Sequence, residues 1–510
     1  MQFTRLYPRR SGLAVAGLAA AMIIALGVSP ASATDPPGPA AAGRVAAGPT
    51  VKLEATSPSV TVDTSFQGYV IMDPGIWVAS LGSALQFNVQ RPSYTKPVTI
   101  TQILYLPGGR VTARPLPAGL LDGWNGLRDF IRMTVRDHNG NVVASPMLTF
   151  CPNTFDPQRA SPQSPAATPY PPECGTDPFP RSMVWGIAKG WATDPAKDYP
   201  FSPLGPGPSM RLPLGTYQVT ETVAAPYVRL FHMSARDTSK TVEVTVVQGH
   251  GCCTPAAGGR DHPRGQALPS LPRVPDLVNA PKAALPDLVP LPSWGISTSH
   301  TKSGRDLLNF GATVWSGGSS PLDVEGFRSP GSPVMKAYQY FWRNGHVIGR
   351  ARAGTMEFDS QLGHHHWHFE QFARYNLITA DKKLAVRSHK EGFCLGPSDP
   401  VDLLAPHAMW QPPTIGTSGQ CGVAATLWVR EMLPAGWGDT YFNSVAGQSF
   451  DITGVPNGTY YIQVIANPLH VLHETRTGND VSLRTVILSG TKGHRQVNVP
   501  AWHGIDPEPR

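Results

Sequence analysis

Residues 364–368 read His-His-His-Trp-His, so His364, His366 and His368 recur at every second position. A β-strand turns alternate side chains to the same face, about 6.5–7 Å apart over two residues. Three imidazoles on one face can converge on a single ion while His365 and Trp367 point elsewhere. Neutral imidazole ligates copper, zinc, iron and nickel. The cluster therefore reads as a metal face before anything says what the metal does.

The rest of the chain must supply the elements that hold it. At 510 residues two domains are the first expectation. Residues 1–33 read as a signal peptide: Arg5, Arg9 and Arg10 precede the apolar run 11–28, and Ala31-Ser32-Ala33 offers a cleavage site. Pro8-Arg9-Arg10-Ser11 also has a twin-arginine look, which leaves the export route open, and an uncleaved membrane anchor is the alternative. Without those three arginines the formal charge of +7 becomes 7 − 3 = +4, a mild balance with no basic run, so nucleic acid is not implied. Six cysteines in an exported chain suggest disulfides, Cys151 with Cys174 and Cys394 with Cys421 being the short loops, whereas Cys252-Cys253 are adjacent and open in connectivity.

Residues 34–50 read as a Pro/Ala/Gly-rich tail, 51–248 as a β-rich accessory domain, 249–284 as a linker, 285–500 as a second mostly-β domain and 501–510 as a tail. The expected fold is two β-sandwich-like domains joined by a Pro/Gly-rich linker. Phe130–Asp137 and Val142–Phe150 flank an Asn-Gly, which predicts a hairpin. Residues 119–133 are expected to hold a short helix, and 152–208, dense in proline, a long loop. In the second domain Phe310–Trp315, Lys336–Trp342, His366–Leu377, Thr459–Ala466 and Val481–Leu488 read as strands. The four-residue run Pro275-Asp276-Leu277-Val278 recurs as Pro286-Asp287-Leu288-Val289, whose second copy marks that domain's start.

Three explanations of the histidines compete. A His-rich strand can simply be solvated, although the flanking Trp367, Phe369, Phe372 and Tyr375 argue for partial burial, where unpaired ring nitrogens are costly. A cupin-type site has the spacing His364-x-His366-x3-Glu370, but Phe358 and Leu377 stand where a cupin's glycines would be. The third explanation comes from the surrounding motifs. They are the opening Leu285-Pro286-Asp287-Leu288-Val289-Pro290, the alternating histidines, Phe372-x-x-Tyr375-x-Leu377, His389-Lys390-x-x-Phe393-Cys394-Leu395, Asp439-Thr440-Tyr441, Asp451-Ile452-Thr453 and Asn467-Pro468. In this order, from Leu285 to about residue 490, the chain resembles the catalytic domain of lysyl oxidase, the copper-dependent amine oxidase family. Its first 250 residues take no part in that likeness.

The resemblance implies copper on His364, His366 and His368, and a lysine tyrosylquinone cofactor made from Lys390 and Tyr441. On ligands alone zinc stays open. The implied reaction is oxidative deamination of primary amines or peptidyl lysine to aldehydes, consuming O₂ and releasing hydrogen peroxide and ammonia, with no membrane insertion after signal cleavage. Asp439 shares a strand face with Tyr441 and is the leading candidate base; His365, His389 and His407 are weaker ones. The resemblance also implies a calcium site, for which Asp287, Glu474, Asn479 and Asp480 match, while Arg476 stands where an acidic ligand is expected. Gly363 replaces a cysteine expected before the triad, and Lys390 and Tyr441 are 51 residues apart, with Pro/Gly-rich extra length around 397–422. The rival of another class is a non-catalytic extracellular binding protein with a structural metal; a cupin-like metalloenzyme would need Glu370 as ligand.

Overall fold

The computed structural model describes residues 49–64, 68–175, 177–197, 208–249, 274–360, 365–388, 390, 392–412 and 421–508. Residues 1–33, most of the tail to residue 50 and Cys252-Cys253 lie outside them. The fold is mostly β, and among the described residues its sheets are open, with no closed barrel. Residues Arg44–Arg510 form one compact unit. A single connected core contains Phe87 and Trp185 from the first half together with Phe310, Trp367, Tyr375 and Trp437 from the second. No described helix is long and apolar enough to cross a membrane.

In the first half, the Asn-Gly hairpin forms as its turn chemistry demands. Leu127–Arg136 pairs with Val142–Ala144 and Met147–Phe150, and the Asp137 carboxylate accepts the backbone N–H groups of Asn139 and Asn141 across the turn. The helix expected over 119–133 is not there: a 3-10 turn at Ala118–Leu120 leads into the strand from Leu127. Gly126 explains the difference, since at φ +139° it lies so close to the Phe150 carbonyl that a Cβ would sit 2.4 Å away. The proline-rich run 152–208 is likewise not all loop. It contains Ser182–Ile187, a strand buried along its whole length and paired with Leu85–Gln90. Gly186 in that strand presses against the Tyr170 ring, 2.5 Å from where a Cβ would be.

Among the described residues, the second half has three sheets. One runs from Gly392–Phe393 through His366–Glu370, His346–Asp359, Val334–Arg343 and Leu322–Phe327 to Trp428–Leu433. Another places Trp437–Tyr441 between Asp306–Ser316 and the short strand Asp399–Pro400. The third holds Ala373–Thr379, Gly458–Ala466 and Val481–Thr491. The run expected as one strand over His366–Leu377 is therefore two strands in different sheets. Gln371 makes the break, with φ +69°. The first copy of the repeated motif is structured as well, Leu277 N–H donating to the Arg350 carbonyl at 2.7 Å and Arg350 N–H to the Pro275 carbonyl at 3.0 Å.

Candidate active site

Alternation along His366–Glu370 does what the spacing requires. Trp367 and Phe369 fill the core, while His366 and His368 turn to the other face. His364 lies outside the described residues, so this structure places two of the three candidate ligands. Among the described residues no group of three or more His, Cys, Asp or Glu is arranged around a metal position. The Nε2 atoms of His366 and His368 are 2.9 Å apart. The carboxylate of Asp359, which pairs in register with His366, comes within 3.7 Å of His368 Nδ1. Sequence reading missed Asp359; its signal was an acid closing the strand that precedes the histidines.

Gly392–Phe393 pairs with the histidine strand, Phe369 opposite Phe393, and this pairing carries the lysine in. Lys390 is 7% exposed. Its Nζ lies 4.2 Å from the centre of the Tyr441 ring and 5.0 Å from that of Phe393. The lysine backbone is pinned through Ser388, whose hydroxyl accepts Lys390 N–H and donates to the Gly447 carbonyl. Burial pulls the ammonium down to about 8, against the pull of Asp439, Asp359 and Glu370.

Tyr441 ends its strand with the hydroxyl fastened to one residue: it accepts Cys394 N–H at 3.0 Å and donates to the Cys394 carbonyl at 3.1 Å. Cys394 is bridged to Cys421, and the Cys421 carbonyl accepts the N–H of Trp367 at 2.8 Å. One disulfide thus ties the phenol's anchor to the strand that carries His366 and His368. Burial and nearby Asp439 push the phenol well above its usual range, so it rests protonated.

Asp439, two residues earlier on the same face, is 2% exposed. Its Oδ1 accepts Gly396 N–H at 3.4 Å, and its Oδ2 has no hydrogen-bond partner. Burial raises this carboxyl well above an ordinary aspartate, with Lys390 pulling the other way. Glu431, also fully buried, accepts Leu395 N–H through one oxygen and leaves the other unpartnered. His365 and His407 are exposed with positive φ, and His389 lies outside the described residues.

The wall behind the tyrosine strand comes from the first half of the chain. The Asp177 carboxylate accepts the Thr313 hydroxyl at 2.6 Å, and Thr313 is 2.8 Å from the Thr440 hydroxyl, next to Tyr441. The extra length between Lys390 and Tyr441 docks there too. Arg181 and Ser182 donate their N–H groups to the Val401 carbonyl, Leu403 N–H returns to the Ser182 carbonyl at 3.0 Å, and the Ser182 hydroxyl bonds Asp402.

The four calcium candidates are gathered at the domain's opening, but the central carboxylate is already satisfied. Asp287 accepts Thr475 Oγ1 at 3.1 Å, Asn479 Nδ2 at 3.1 Å and Arg476 Nη2 at 2.5 Å, with Arg476 Nε at 3.2 Å. These residues, as they stand, do not fit a divalent cation.

With this geometry in hand, the likeness can be measured. The lysyl oxidase family profile matches residues 332–497. Lysyl oxidase homolog 4 of Mus musculus is 29% identical over 149 residues, which is 29% of this chain and 18% of that protein. The Homo sapiens homolog 4 is 30% identical over 119 residues, 23% of this chain and 14% of the relative. Lysyl oxidase homolog 2 of Gallus gallus is 25% identical over 193 residues, 38% of this chain and 19% of the relative. The matches therefore span under a fifth of those relatives' length.

Proposed function

Residues 332–497 being a lysyl oxidase domain, we propose that the protein is an exported, copper-dependent amine oxidase. It converts primary amines, peptidyl lysine among them, to aldehydes through a lysine tyrosylquinone made from Lys390 and Tyr441. The observation that carries this reading is the buried Lys390 amine 4.2 Å from the Tyr441 ring centre. His366 and His368 would hold the copper, with His364 as the third ligand. Copper supplies oxygen chemistry that a phenol lacks, and the finished quinone supplies an electrophilic carbonyl. Overall, RCH₂NH₂ + O₂ + H₂O gives RCHO + NH₃ + H₂O₂.

The chain's own residues prepare this chemistry. The Cys394 backbone holds the ring by its hydroxyl, with Phe393 packed edge-on at 5.3 Å and the Lys390 amine 4.2 Å from the ring centre. A lysine attacks only when neutral. At about 8, roughly one Lys390 in ten is neutral at pH 7, against fewer than one in a thousand for an unperturbed lysine. Deprotonation is favoured as pH rises, so the rate at which quinone absorbance develops after copper is added should climb about tenfold per unit up to pH 8 and flatten above. A rate constant across pH 6–8 would show that Lys390 is not the titrating nucleophile.

Asp439 is the base that removes the proton from the amine-bearing carbon. Its unpartnered Oδ2 and raised affinity for protons equip it for that role. Asp439→Asn keeps the size and removes the base. Its kcat should fall roughly 10²–10⁴-fold while phenylhydrazine still labels the protein; a kcat within threefold of wild type assigns the base elsewhere.

The reading as a whole is tested by peroxide release. Mature protein loaded with copper in air should produce hydrogen peroxide with small amines or lysine peptides, and lose that activity when copper is withheld. Copper binding with no amine-dependent peroxide, despite a formed quinone band, would leave the non-catalytic binding protein as the better description.

A further inference from the structure

The acidic cluster at the start of the second half carries its own cation. Asp287 is 1% exposed, so its charge needs a permanent counter-ion. Asp480 is 3% exposed, and neither of its carboxylate oxygens has a hydrogen-bond partner; nor does Asn479 Oδ1. Glu474 holds Leu288 N–H at 3.1 Å and Asn467 Nδ2 at 2.6 Å, and burial with the neighbouring acids raises it to about 7. Three carboxyls and an amide oxygen thus lie near one another, oxygen donors of the hard type that calcium takes, although as they stand they are not arranged around a metal position.

We infer that the guanidinium of Arg476 is a built-in replacement for a divalent cation at this cluster, so that the chain is held together there without calcium. Arg476 enters from the solvent side, its side chain 70% exposed, and bonds Asp287 through both Nε and Nη2. A calcium ion needs six to eight oxygens at roughly 2.3–2.6 Å. It cannot take Asp287 Oδ2 while Nη2 lies 2.5 Å from that atom. Guanidinium and ion are therefore alternatives, and the guanidinium is tethered and always present.

The latch matters because of what it joins. Thr475 N–H donates to the Pro286 carbonyl at 2.8 Å, so the 474–480 loop is fastened to the Leu288–Pro290 strand. That strand pairs with Asp306–Ser316, which pairs in turn with the strand of Tyr441. The inference stands independently of the amine oxidase reading, since it concerns charge balance and not turnover.

Thermal unfolding of the full chain tests it. Wild type should show the same midpoint in EGTA, in millimolar magnesium and in millimolar calcium. Arg476→Ala should unfold several degrees lower in EGTA, and millimolar calcium, but not magnesium, should restore most of the loss. Arg476→Lys should stay near wild type and ignore calcium. A wild-type midpoint that rises with calcium or falls with EGTA overturns the inference, as does an Arg476→Ala midpoint that calcium leaves unmoved. If Arg476→Ala does not accumulate, calorimetric titration of wild type with calcium decides: no binding upholds the inference and stoichiometric binding overturns it.

Discussion

Tyr441→Phe will fold and bind copper, yet form no visible quinone band, no phenylhydrazine adduct and no peroxide above the blank. The hydroxyl it lacks makes two hydrogen bonds, both to the Cys394 backbone. Leaving each of those two groups unmet costs about 1–3 kcal/mol, about 2–6 kcal/mol together, within the usual 5–15 kcal/mol of a domain's stability. The chemistry does not survive, because a phenylalanine ring has no phenol to oxidise. Tyr375 provides the control. It is fully buried, lies edge-on to Phe393 at 5.9 Å and shares Tyr441's surroundings, but no lysine amine lies over its ring. Tyr375→Phe should therefore keep the adduct. An adduct that survives Tyr441→Phe and disappears in Tyr375→Phe would move the cofactor to the other ring.

A chain beginning at Leu285 will not behave as a free-standing enzyme. Cutting there removes Phe179, which closes a cluster with Leu291 and Val401 against Trp294, Trp315 and Trp502. It removes Asp177 from Thr313, and it strips residues 401–404 of their backbone partners on Arg181 and Ser182. Exposing even four such side chains costs on the order of 6–12 kcal/mol at 1.5–3 kcal/mol each, comparable to a whole domain's stability. The fragment should be insoluble, or soluble without a cooperative unfolding transition. A fragment that unfolds cooperatively and still labels with phenylhydrazine would show that the first half is dispensable to the site.

How far the sequence discloses all this depends on the range of the contacts. Period-two alternation of His366, Trp367, His368 and Phe369 is local, so the strand and the face of each side chain were legible. So was the Asn139-Gly140 hairpin, a matter of a few residues. The break at Gln371 was not, because nothing in its apolar neighbours distinguishes one long strand from two that enter different sheets. Lys390 and Tyr441 were named through the family likeness alone. Their approach depends on the Phe369–Phe393 pairing and on the bridge from Cys394 to Cys421, and no periodicity encodes either. The partnership of Asp177 with Thr313 spans 136 residues and that of Ser182 with Asp402 spans 220, beyond any pattern in one chain. Arg476 was visible as an oddity among acids; that it reaches Asp287 became visible only in three dimensions.

The central claim is that Lys390 and Tyr441 become one cofactor. Peptide mapping of copper-loaded, aerated protein after full disulfide reduction tests this most directly. The peptides bearing Lys390 and Tyr441 should then elute as a single cross-linked species absent from the copper-free control. Recovery of both peptides separately and at unmodified mass, from protein that demonstrably holds copper, would contradict the account.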